Sequence, residues 1–547
     1  MNAIPAPLGS TQALRLPRLH WSSHRLVVVL ALFFTVFCNQ RFWAAALSGA
    51  QADLRMGLAM GLLLLAANTL VLGLLVWRWN ARILVPVLLL ASALAVHWMN
   101  TYSVYLDADM LRNVLHTDRK EAAELIGWSL LPAVLVLGVL PALGMGLVRL
   151  RRQAWYRALG QRLLLLLLAL LTGLGGALLD SQNVASLLRN QRQVRYLATP
   201  VNYLVALPRS LHASNPLRQR TLLPVAADAH PLSSPAGRKP RLLVMVVGET
   251  VRAQNWGLNG YQRQTTPELS TAGVINFNDM HSCGSSTEVS LPCMFSPWGR
   301  ADYDEDAIKS HQSLLHVLDR AGIHPLWRDN QSGCKGVCSG LEIDHLDDAS
   351  DPVLCRDGRC MDEILLQQLE QRVRARPGDR VVVLHQLGNH GPAYFQRYPA
   401  SFAHYQPGCQ STDLGSCSRE QIINSYDNAV LYTDHFLATT IARLKALDDY
   451  DSAMLYVSDH GESLGEKGLY LHGLPWAIAP EQQTRVPMVM WFSPGFGQSR
   501  GLDLACLQQR STRPASHDNL FASVLGLMQV GTDAYRADQD LFAGCQA

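Results

Sequence analysis

The chain has 547 residues, a formal net charge of +3, and 17% charged against 48% hydrophobic residues. A typical soluble domain contains roughly 25% charged residues, so the composition excludes a disordered or collagen-like chain and argues against a purely cytosolic globular protein. The small net charge gives no sign of nucleic-acid binding, and we expect no nucleic-acid partner. The length favours roughly two to four structural units.

Long apolar runs occupy the first 180 residues. Four of them are close to the roughly 20 residues that span the hydrocarbon core of a bilayer. Three contain no Lys, Arg, Asp or Glu, and the fourth is almost entirely Leu, Ala and Gly. These predicted transmembrane helices are Met56–Val76, Ile83–Leu106, Leu125–Val148 and Leu163–Leu179.

A weaker apolar run, Leu26–Phe37, comes first and is followed by the polar residues Asn39, Gln40 and Arg41. With its basic leader and the small residues Ala44–Ala46 it resembles a cleavable signal peptide. Alternatively it is a retained anchor whose polar residues pack among other helices. We favour the anchor, which gives residues 1–180 five transmembrane helices.

Basic residues in the short loops predict the orientation, because Lys and Arg accumulate on the cytoplasmic side. Three segments share that side: the leader, the loop between the second and third spans, and the loop before the fifth span. Their basic residues are Arg15, Arg18, Arg25, Arg78, Arg82, Arg149, Arg151, Arg152, Arg157 and Arg162. The loop Asp107–Glu124 and everything after Asp180 are then expected outside the cytoplasm.

Residues 181–239 separate the apolar part from the remainder of the chain. The stretch Val201–Leu207 is either an interfacial helix lying on the bilayer or a solvated linker helix. Pro224–Pro240 is rich in Pro, Ala, Ser and His and has the composition of a flexible tether.

Cysteine usage agrees with export of the second part. One cysteine, Cys38, lies in the apolar part, and an even number follows it, which predicts five disulfides in an oxidising compartment. Close spacing suggests Cys283–Cys293, Cys334–Cys338, Cys355–Cys360 and Cys409–Cys417, which leaves Cys506 to pair with Cys545. The sequence alone does not fix these pairs, and Cys334, Cys338, Cys355 and Cys360 could instead bind zinc.

Three apolar, β-branched runs in the exported part predict strands that are buried on both faces. They are Arg241–Val247, Val381–Leu384 and Met454–Val457, with predicted helices at Ser313–Ala321, Asp362–Arg374 and Asn424–Leu447. Alternating strands and helices predict an α/β domain with a mostly parallel sheet.

Polar residues follow each predicted strand, where ligands gather in parallel sheets. Glu249 follows the first strand, His390 the second, and Asp459 and His460 the third. Carboxylate and imidazole ligands suit Zn²⁺. His472 is a further candidate for a second ion or the substrate.

A nucleophile is expected in the hydroxyl-rich stretch 281–290, which contains Cys283 and is followed by Cys293. A disulfide-pinned turn that opens a helix can bind phosphate through its N–H groups and the helix dipole. A hydroxyl bound to Zn²⁺ is activated for attack.

These segments together resemble the phosphoethanolamine transferases that modify lipid A and include the mobile colistin-resistance enzymes. The resemblance covers nearly the whole chain. It is carried by GETVRAQNWGLNGYQRQTTPEL (248–269), SCGSSTEVSLPCMFS (282–296), LWRDNQSGCKGVC (326–338), HQLGNHGPAYFQRYP (385–399) and SDHGESLGEKGLYLHGLP (458–475). The family belongs to the alkaline phosphatase superfamily. A multi-pass helical membrane domain, followed by a periplasmic α/β domain at 240–547, is therefore expected.

The resemblance also implies roles for individual residues. Thr287 would be the nucleophile and would bind one tightly held zinc together with Glu249, Asp459 and His460. His390 and His472 would bind a second zinc during turnover, or the phosphate. Residues near the phosphoethanolamine group would be Ser332 and Lys335, with Asn113, Thr117 and Glu121 from the membrane part. The spacing of these last three residues predicts one helical face.

The implied reaction moves phosphoethanolamine from phosphatidylethanolamine to a phosphate of lipid A through a phosphothreonine-type intermediate. It would lower surface negative charge and polymyxin binding, in a monomer of the Gram-negative inner membrane. Alternatives are transfer to an inner-core sugar, a phosphoglycerol transferase or sulfatase-like hydrolase, or a non-catalytic membrane sensor. A sulfatase would need a Cys-x-Pro-x-Arg-like motif, which is absent around Thr287.

Overall fold

The computed structural model describes residues 19–48, 53–117, 119–213, 222–232, 237–356 and 358–546. Arg15 and Arg18 of the basic leader, and parts of the predicted linker, lie outside the described residues. Two compact units are present. The helical unit is Met1–Asn100 with Ser129–Leu204, and the sheet unit is Thr101–Trp128 with Val205–Ala547. The predicted domain limits at 180 and 239 stay a prediction.

Helices account for most of the helical unit and for the connections in the sheet unit. In chain order they are α1 (Ser23–Phe37), α2 (Gln40–Ala46), α3 (Leu54–Leu75), α4 (Ala81–Tyr102), α5 (Ala108–His116), α6 (Arg119–Glu124), α7 (Leu130–Ala133), α8 (Leu140–Gly144), α9 (Trp155–Leu179), α10 (Ser181–Asn190), α11 (Val201–Ala213), α12 (Thr287–Met294), α13 (Glu305–Ser310), α14 (Leu314–Arg320), α15 (Leu369–Arg374), α16 (Arg419–Ala446), α17 (Glu481–Thr484), α18 (Pro494–Ser499), α19 (Leu504–Arg510) and α20 (Leu520–Met528).

Within the part of the chain that the structure describes, four helical segments are long and apolar enough to cross a membrane: α3, α4, Leu130–Leu147 and α9. The helices α1 and α2 are bent by 62° and would make a fifth span if counted together. The multi-pass helical architecture is therefore confirmed. Within Leu130–Leu147 a π-helical turn, Val134–Val139, joins α7 to α8, and α4 ends at Tyr102 rather than at the predicted Leu106.

Buried polar side chains satisfy helix ends inside the helical unit. Arg162 of α9 donates to the carbonyls of Gly73 and Val76, both at 2.9 Å, where α3 ends. The Asn39 amide lies at the bend between α1 and α2 and donates to the carbonyls of Phe34 and Thr199, both at 2.8 Å. The last carbonyls of α3 have no following helical turn to bond, so Arg162 takes the place of water there.

The sheet unit is built on an eight-stranded, mostly parallel sheet with the order β15-β5-β14-β11-β4-β10-β6-β7. The strands, in chain order, are β1 (Leu19–Trp21), β2 (Val148–Leu150), β3 (His230–Pro231), β4 (Arg241–Gly248), β5 (Ile275–His281), β6 (His324–Asp329), β7 (Glu342–His345), β8 (Cys355–Arg356), β9 (Arg359–Cys360), β10 (Arg380–His385), β11 (Asp451–Ser458), β12 (Ser463–Leu464), β13 (Tyr470–Leu471), β14 (Arg485–Phe492), β15 (Ala515–Ser516) and β16 (Val530–Gly531).

The three predicted strands form the centre of this sheet. β4 is buried along its whole length and pairs in parallel with β10 and β11. A strand covered on both faces needs apolar residues at every position, which is why its sequence shows no alternation. Antiparallel β14 follows β11 in the sheet order.

Two of the three predicted helices are confirmed as α14 and α16. The third, Asp362–Arg374, is interrupted, so the prediction of one helix is wrong. A 3₁₀ turn at Asp362–Leu366 precedes α15, and between them Gln368 adopts the left-handed conformation with φ of 55°. That conformation cannot continue a right-handed helix.

All five suggested disulfides are present, with sequence separations of 10, 4, 5, 8 and 39 in chain order. Cys38 is a free and buried thiol. Since Cys334 pairs with Cys338 and Cys355 with Cys360, the alternative of a four-cysteine zinc site is wrong.

Candidate active site

The candidate site lies where the central parallel strands end. Ser458 of β11 is in register with Gly248 of β4, and His385 of β10 is in register with Val247. The residues that follow, Glu249 and Asp459, therefore leave the sheet side by side. Both are fully buried.

Thr287 is the first residue of α12, and Ser286 is its N-cap. The disulfide Cys283–Cys293 joins the turn before α12 to the helix itself. The Thr287 hydroxyl lies 3.0 and 3.2 Å from the two carboxylate oxygens of Glu249 and 3.3 Å from Nε2 of His460. The first N–H groups of a helix have no intrahelical partner, so the hydroxyl stands at an anion-binding position.

Hydrogen bonds orient the two residues from the third strand. The Nδ1 atom of His460 lies 2.9 Å from the Gly461 carbonyl, so a proton there leaves Nε2 free to face Glu249 at 3.3 Å. Oδ1 of Asp459 accepts the backbone N–H of His460 at 2.7 Å. Its other oxygen, Oδ2, is buried, has no hydrogen-bond donor among the described residues and lies 3.4 Å from His460 Nε2.

This arrangement fits a metal ion. A buried carboxylate oxygen without a donor is costly unless a cation completes it. Glu249, His460 and His472 also offer ligand atoms that lie within 4.8 Å of one another. Carboxylate and imidazole donors at such distances suit a divalent ion such as Zn²⁺.

The pKa values of Glu249, Asp459 and His460 also favour binding of a cation. Burial opposes ionisation of Glu249, but the hydrogen bond and charge of His460 hold its pKa well below the usual value. Burial and the charge of Glu249 raise the pKa of Asp459 to about 7. Although burial disfavours its charged form, Asp459 and Glu249 raise the pKa of His460 to about 10. A dication would displace that proton and balance both carboxylates.

His390 and His472 form a second group beside the first. Their ring centroids are 5.4 Å apart, and the His472 ring lies 4.4 Å from that of His460. Nε2 of His390 is 3.2 Å from the carboxylate of Glu121. Burial disfavours the imidazolium, but Glu121 outweighs it and raises the pKa of His390 to about 9. Burial and the charge of His460 lower the pKa of His472.

Ser332 and Lys335 lie on a loop that Asp329 and the disulfide Cys334–Cys338 hold in place. Asp329 accepts the Gly333 N–H at 2.8 Å, and the Lys335 ammonium donates to the Ser332 hydroxyl at 2.9 Å. The positive charge of Lys335 favours ionisation of Glu121, although burial and His390 affect that pKa more strongly. Ser332 directly follows Gln331, whose amide donates to Glu249 at 3.2 Å, so this loop borders the site.

Asn113, Thr117 and Glu121 do not share one helical face, so that prediction is wrong. Thr117 is the C-cap of α5 with an extended backbone, and its hydroxyl donates to the Asn113 carbonyl at 2.8 Å. Glu121 belongs to the separate helix α6. Of the three, Glu121 is the residue whose side chain meets His390.

Sequence reasoning missed several polar residues of the site. Gln331 donates to Glu249 at 3.2 Å, and the buried Glu462 lies 3.3 Å from Nδ1 of His472. The buried His517 accepts the Cys283 N–H at 3.1 Å and lies 3.0 Å from the Ser458 carbonyl. Glu462 lies two residues after His460 in the motif SDHGESLGEKGLYLHGLP (458–475), whereas His517 belongs to none of the motifs that carry the family resemblance.

Gly388 lets the second strand end close to Glu249. It has φ of +54°, and a Cβ there would lie 2.7 Å from the Glu249 carbonyl oxygen. Any larger residue would push the His390 segment away from Glu249, which explains a glycine at this position.

A buried parallel sheet with a hydroxyl and metal-ligand cluster at its carboxyl edge defines a member of the alkaline phosphatase superfamily. The sulfatase family matches residues 241–530, and the family described as phosphoethanolamine transferase EptA/EptB matches residues 64–214.

Full-length relatives specify the family further. Phosphoethanolamine transferase EptA of Salmonella typhimurium is 39% identical over 478 residues, covering 86% of each chain. Phosphatidylethanolamine transferase Mcr-1 of Escherichia coli is 38% identical over 480 residues, covering 85% of this chain and 89% of the relative. The structure of the integral membrane lipooligosaccharide phosphoethanolamine transferase A (EptA) from Neisseria meningitidis gives a TM-score of 0.92 at 38% identity, covering 96% of this chain and 99% of that one. This chain belongs to the EptA family of membrane-bound phosphoethanolamine transferases.

Proposed function

We propose that this chain transfers phosphoethanolamine from phosphatidylethanolamine to a phosphate of lipid A, with Thr287 as the nucleophile. The observation that carries the proposal is the Thr287 hydroxyl at the start of α12, 3.0 Å from the buried Glu249 carboxylate and 3.3 Å from His460. The sequence similarity to transferases named for phosphoethanolamine supports the transferred group.

The chain's own residues supply two displacements. Oγ1 of Thr287 forms a bond to the donor phosphorus while the bond from phosphorus to the diacylglycerol oxygen breaks, and the hydroxyl proton is balanced by the one that diacylglycerol gains. An oxygen of a lipid A phosphate then attacks the same phosphorus, and Thr287 leaves and regains a proton. The first-turn N–H groups of α12 favour the negative phosphoryl oxygens throughout.

Glu249, Asp459, His460 and Thr287 would hold one zinc ion, and His390 and His472 would hold a second ion or the phosphate. When bound, zinc lowers the pKa of a ligating hydroxyl and stabilises phosphoryl charge. Glu249 accepts the Thr287 hydrogen bond because its low pKa keeps it ionised. Glu121, Ser332 and Lys335 would meet the phosphoethanolamine group, with Asn113 and Thr117 from the end of α5.

The proposal includes the location of the protein. A monomer in the Gram-negative inner membrane, with the sheet unit in the periplasm, has both lipids within reach. The basic residues in the loops predicted to be cytoplasmic, and the five disulfides in the sequence after the last apolar helix, support this orientation. Transfer would lower the negative charge of lipid A and with it polymyxin binding.

The test is Thr287→Ala in the full chain, with a fluorescent phosphatidylethanolamine as donor. We expect diacylglycerol release to fall by a factor on the order of 1000 or more, and no phosphoethanolamine to appear on the peptide that contains position 287 by mass spectrometry. Ser286→Ala is the matched control, because the Ser286 side chain makes no capping hydrogen bond. Normal turnover by Thr287→Ala would refute the proposal, and mass spectrometry of lipid A from expressing cells identifies the acceptor.

A further inference from the structure

A buried chain of contacts links α6 to the backbone of His390. Arg397 has a fully buried side chain, and its Nη2 pairs with the Glu124 carboxylate, whose side chain is 10% exposed. The Nε of the same Arg397 donates to the His390 carbonyl at 2.7 Å. The guanidinium therefore bridges Glu124 and the peptide of a site residue.

The two acids of α6 act on the same residue from two directions. Glu121 and Glu124 are three positions apart, so they lie on one side of the helix. Glu121 meets the His390 imidazole at 3.2 Å, whereas Glu124 reaches the His390 carbonyl through Arg397. Arg359, with Nε 3.2 Å from Glu124, adds a second cation to that carboxylate.

The buried pair of Glu124 and Arg397 fixes the direction of the Arg397 hydrogen bond to the His390 carbonyl. A guanidinium has a planar set of donors, so pairing one edge with a carboxylate fixes where its Nε–H points. Removing the carboxylate leaves a buried cation without its counter-charge, and the side chain then gains by moving towards water. The His390 peptide would lose its fixed donor in that case.

We propose that Glu124 is a positioning residue for the transfer reaction, acting through Arg397 to fix the His390 peptide and thereby its imidazole. The inference rests on the proposed function, since it assigns His390 to the reacting site. Glu124 and Arg397 act through the His390 peptide and not on Thr287 or the phosphoryl group. Their effect is on geometry, and a shift of about 1 Å in a site group costs up to about 100-fold in rate.

The experiment compares Glu124→Gln and Arg397→Lys with the wild-type full chain, measuring kcat, KM and the melting temperature in detergent. Arg397→Lys keeps the charge that faces Glu124 but loses the planar donor. We expect kcat to fall about tenfold with KM changed less than about threefold in both variants. The melting temperature should be nearly kept in Arg397→Lys and lowered in Glu124→Gln, which leaves the buried Arg397 without its counter-charge. Asp348→Asn is the matched control, because the Lys120–Asp348 pair at 2.6 Å also joins α6 to the rest of the sheet unit, but its carboxylate is exposed.

A charge reversal separates positioning from simple stabilisation. The double variant Glu124→Arg with Arg397→Glu restores an ion pair but cannot donate to the His390 carbonyl. Because Arg359 still faces position 124, we expect its melting temperature to recover in part relative to Glu124→Arg alone, while kcat stays low. Recovery of kcat in the double variant, or an unchanged kcat in Arg397→Lys, would overturn the inference.

The Thr287→Ala variant distinguishes this failure from failure of the proposed function. If Thr287→Ala is inactive while Arg397→Lys turns over normally, the inference alone is wrong. If Thr287→Ala remains active, the proposed function is wrong and the positioning role falls with it.

Discussion

The Thr287 group and the His390 group are built in different ways. Thr287, Glu249, Asp459 and His460 come from strand ends and a helix that the central sheet itself brings together. His390 instead meets Glu121 on α6, a helix that stands in the sequence between two apolar segments. The first group can be assembled by the sheet alone, while the second needs a segment from the apolar half of the sequence. Under the proposed function, this division predicts that phosphoryl transfer depends on the residues held by the sheet. Recognition of the phosphatidylethanolamine donor then depends on α6.

Removing the proposed zinc should have the largest effect and should abolish the activity of the first group, which is Thr287, Glu249, Asp459 and His460. Prolonged chelation of the full chain would leave the buried carboxylates of Glu249 and Asp459 without a dication, so several kcal/mol of transition-state stabilisation are lost. We expect kcat to fall on the order of 100-fold or more and the melting temperature to drop. Zinc should restore both and magnesium should not, because imidazole ligands favour zinc. A chelated protein, free of zinc by elemental analysis, that keeps full activity would contradict the metal assignment.

Glu121→Gln should weaken the second group and spare the first. The change removes the charge that faces the buried His390 while keeping the size of the side chain. Loss of one partner of a buried charged pair should lower kcat/KM for phosphatidylethanolamine about tenfold or more, with zinc content unchanged.

The matched control for that variant is Glu268→Gln, which breaks the exposed Glu268–His435 pair of 2.9 Å. A Glu121→Gln enzyme with wild-type kcat/KM would show that α6 has no part in handling the donor.

His517→Gln should produce the smallest effect. It should change how the stability of the folded protein depends on acid pH. Burial lowers the pKa of His517 to about 3, against a usual value near 6.5. The unfolded chain therefore binds a proton that the folded chain rejects, so stability is complete above about pH 6.5 and is lost as the pH falls towards 3. At pH 5 the loss is about 2 kcal/mol.

The His517→Gln variant should show a flatter decline of melting temperature between about pH 7.5 and pH 5 than the wild type, because its side chain does not titrate there. His404→Gln serves as the control, since His404 is exposed. An identical slope in the His517→Gln and wild-type proteins would mean that this buried imidazole does not contribute to the acid sensitivity.

Glu249, Asp459 and His460 of the first group could be predicted from the sequence because they follow strands that contain continuous apolar runs. Parallel strands end at one edge, so the ligands after β4 and β11 had to converge. The disulfide pairs could also be predicted from the sequence, because each bonded cysteine pairs with a neighbouring cysteine in the chain.

The second group could not be predicted in detail. The break at Thr117, which separates α5 from α6, depends on one capping hydroxyl and an extended residue that no periodicity shows. The Glu124–Arg397 pair joins residues 273 positions apart, and His517 acts from a turn near the end of the chain. Contacts over such separations follow from the packed fold and leave no local pattern.

The order of the disulfides has a consequence for biogenesis. The ten cysteines that follow Cys38 pair in chain order: Cys283–Cys293, Cys334–Cys338, Cys355–Cys360, Cys409–Cys417 and Cys506–Cys545. If the sheet unit is translocated N-terminal end first, as the proposed orientation requires, both cysteines of one pair reach the oxidant before the next pair emerges. Oxidation in order of emergence therefore gives the native pairing directly, and the protein can mature without an isomerase that reshuffles mispaired thiols.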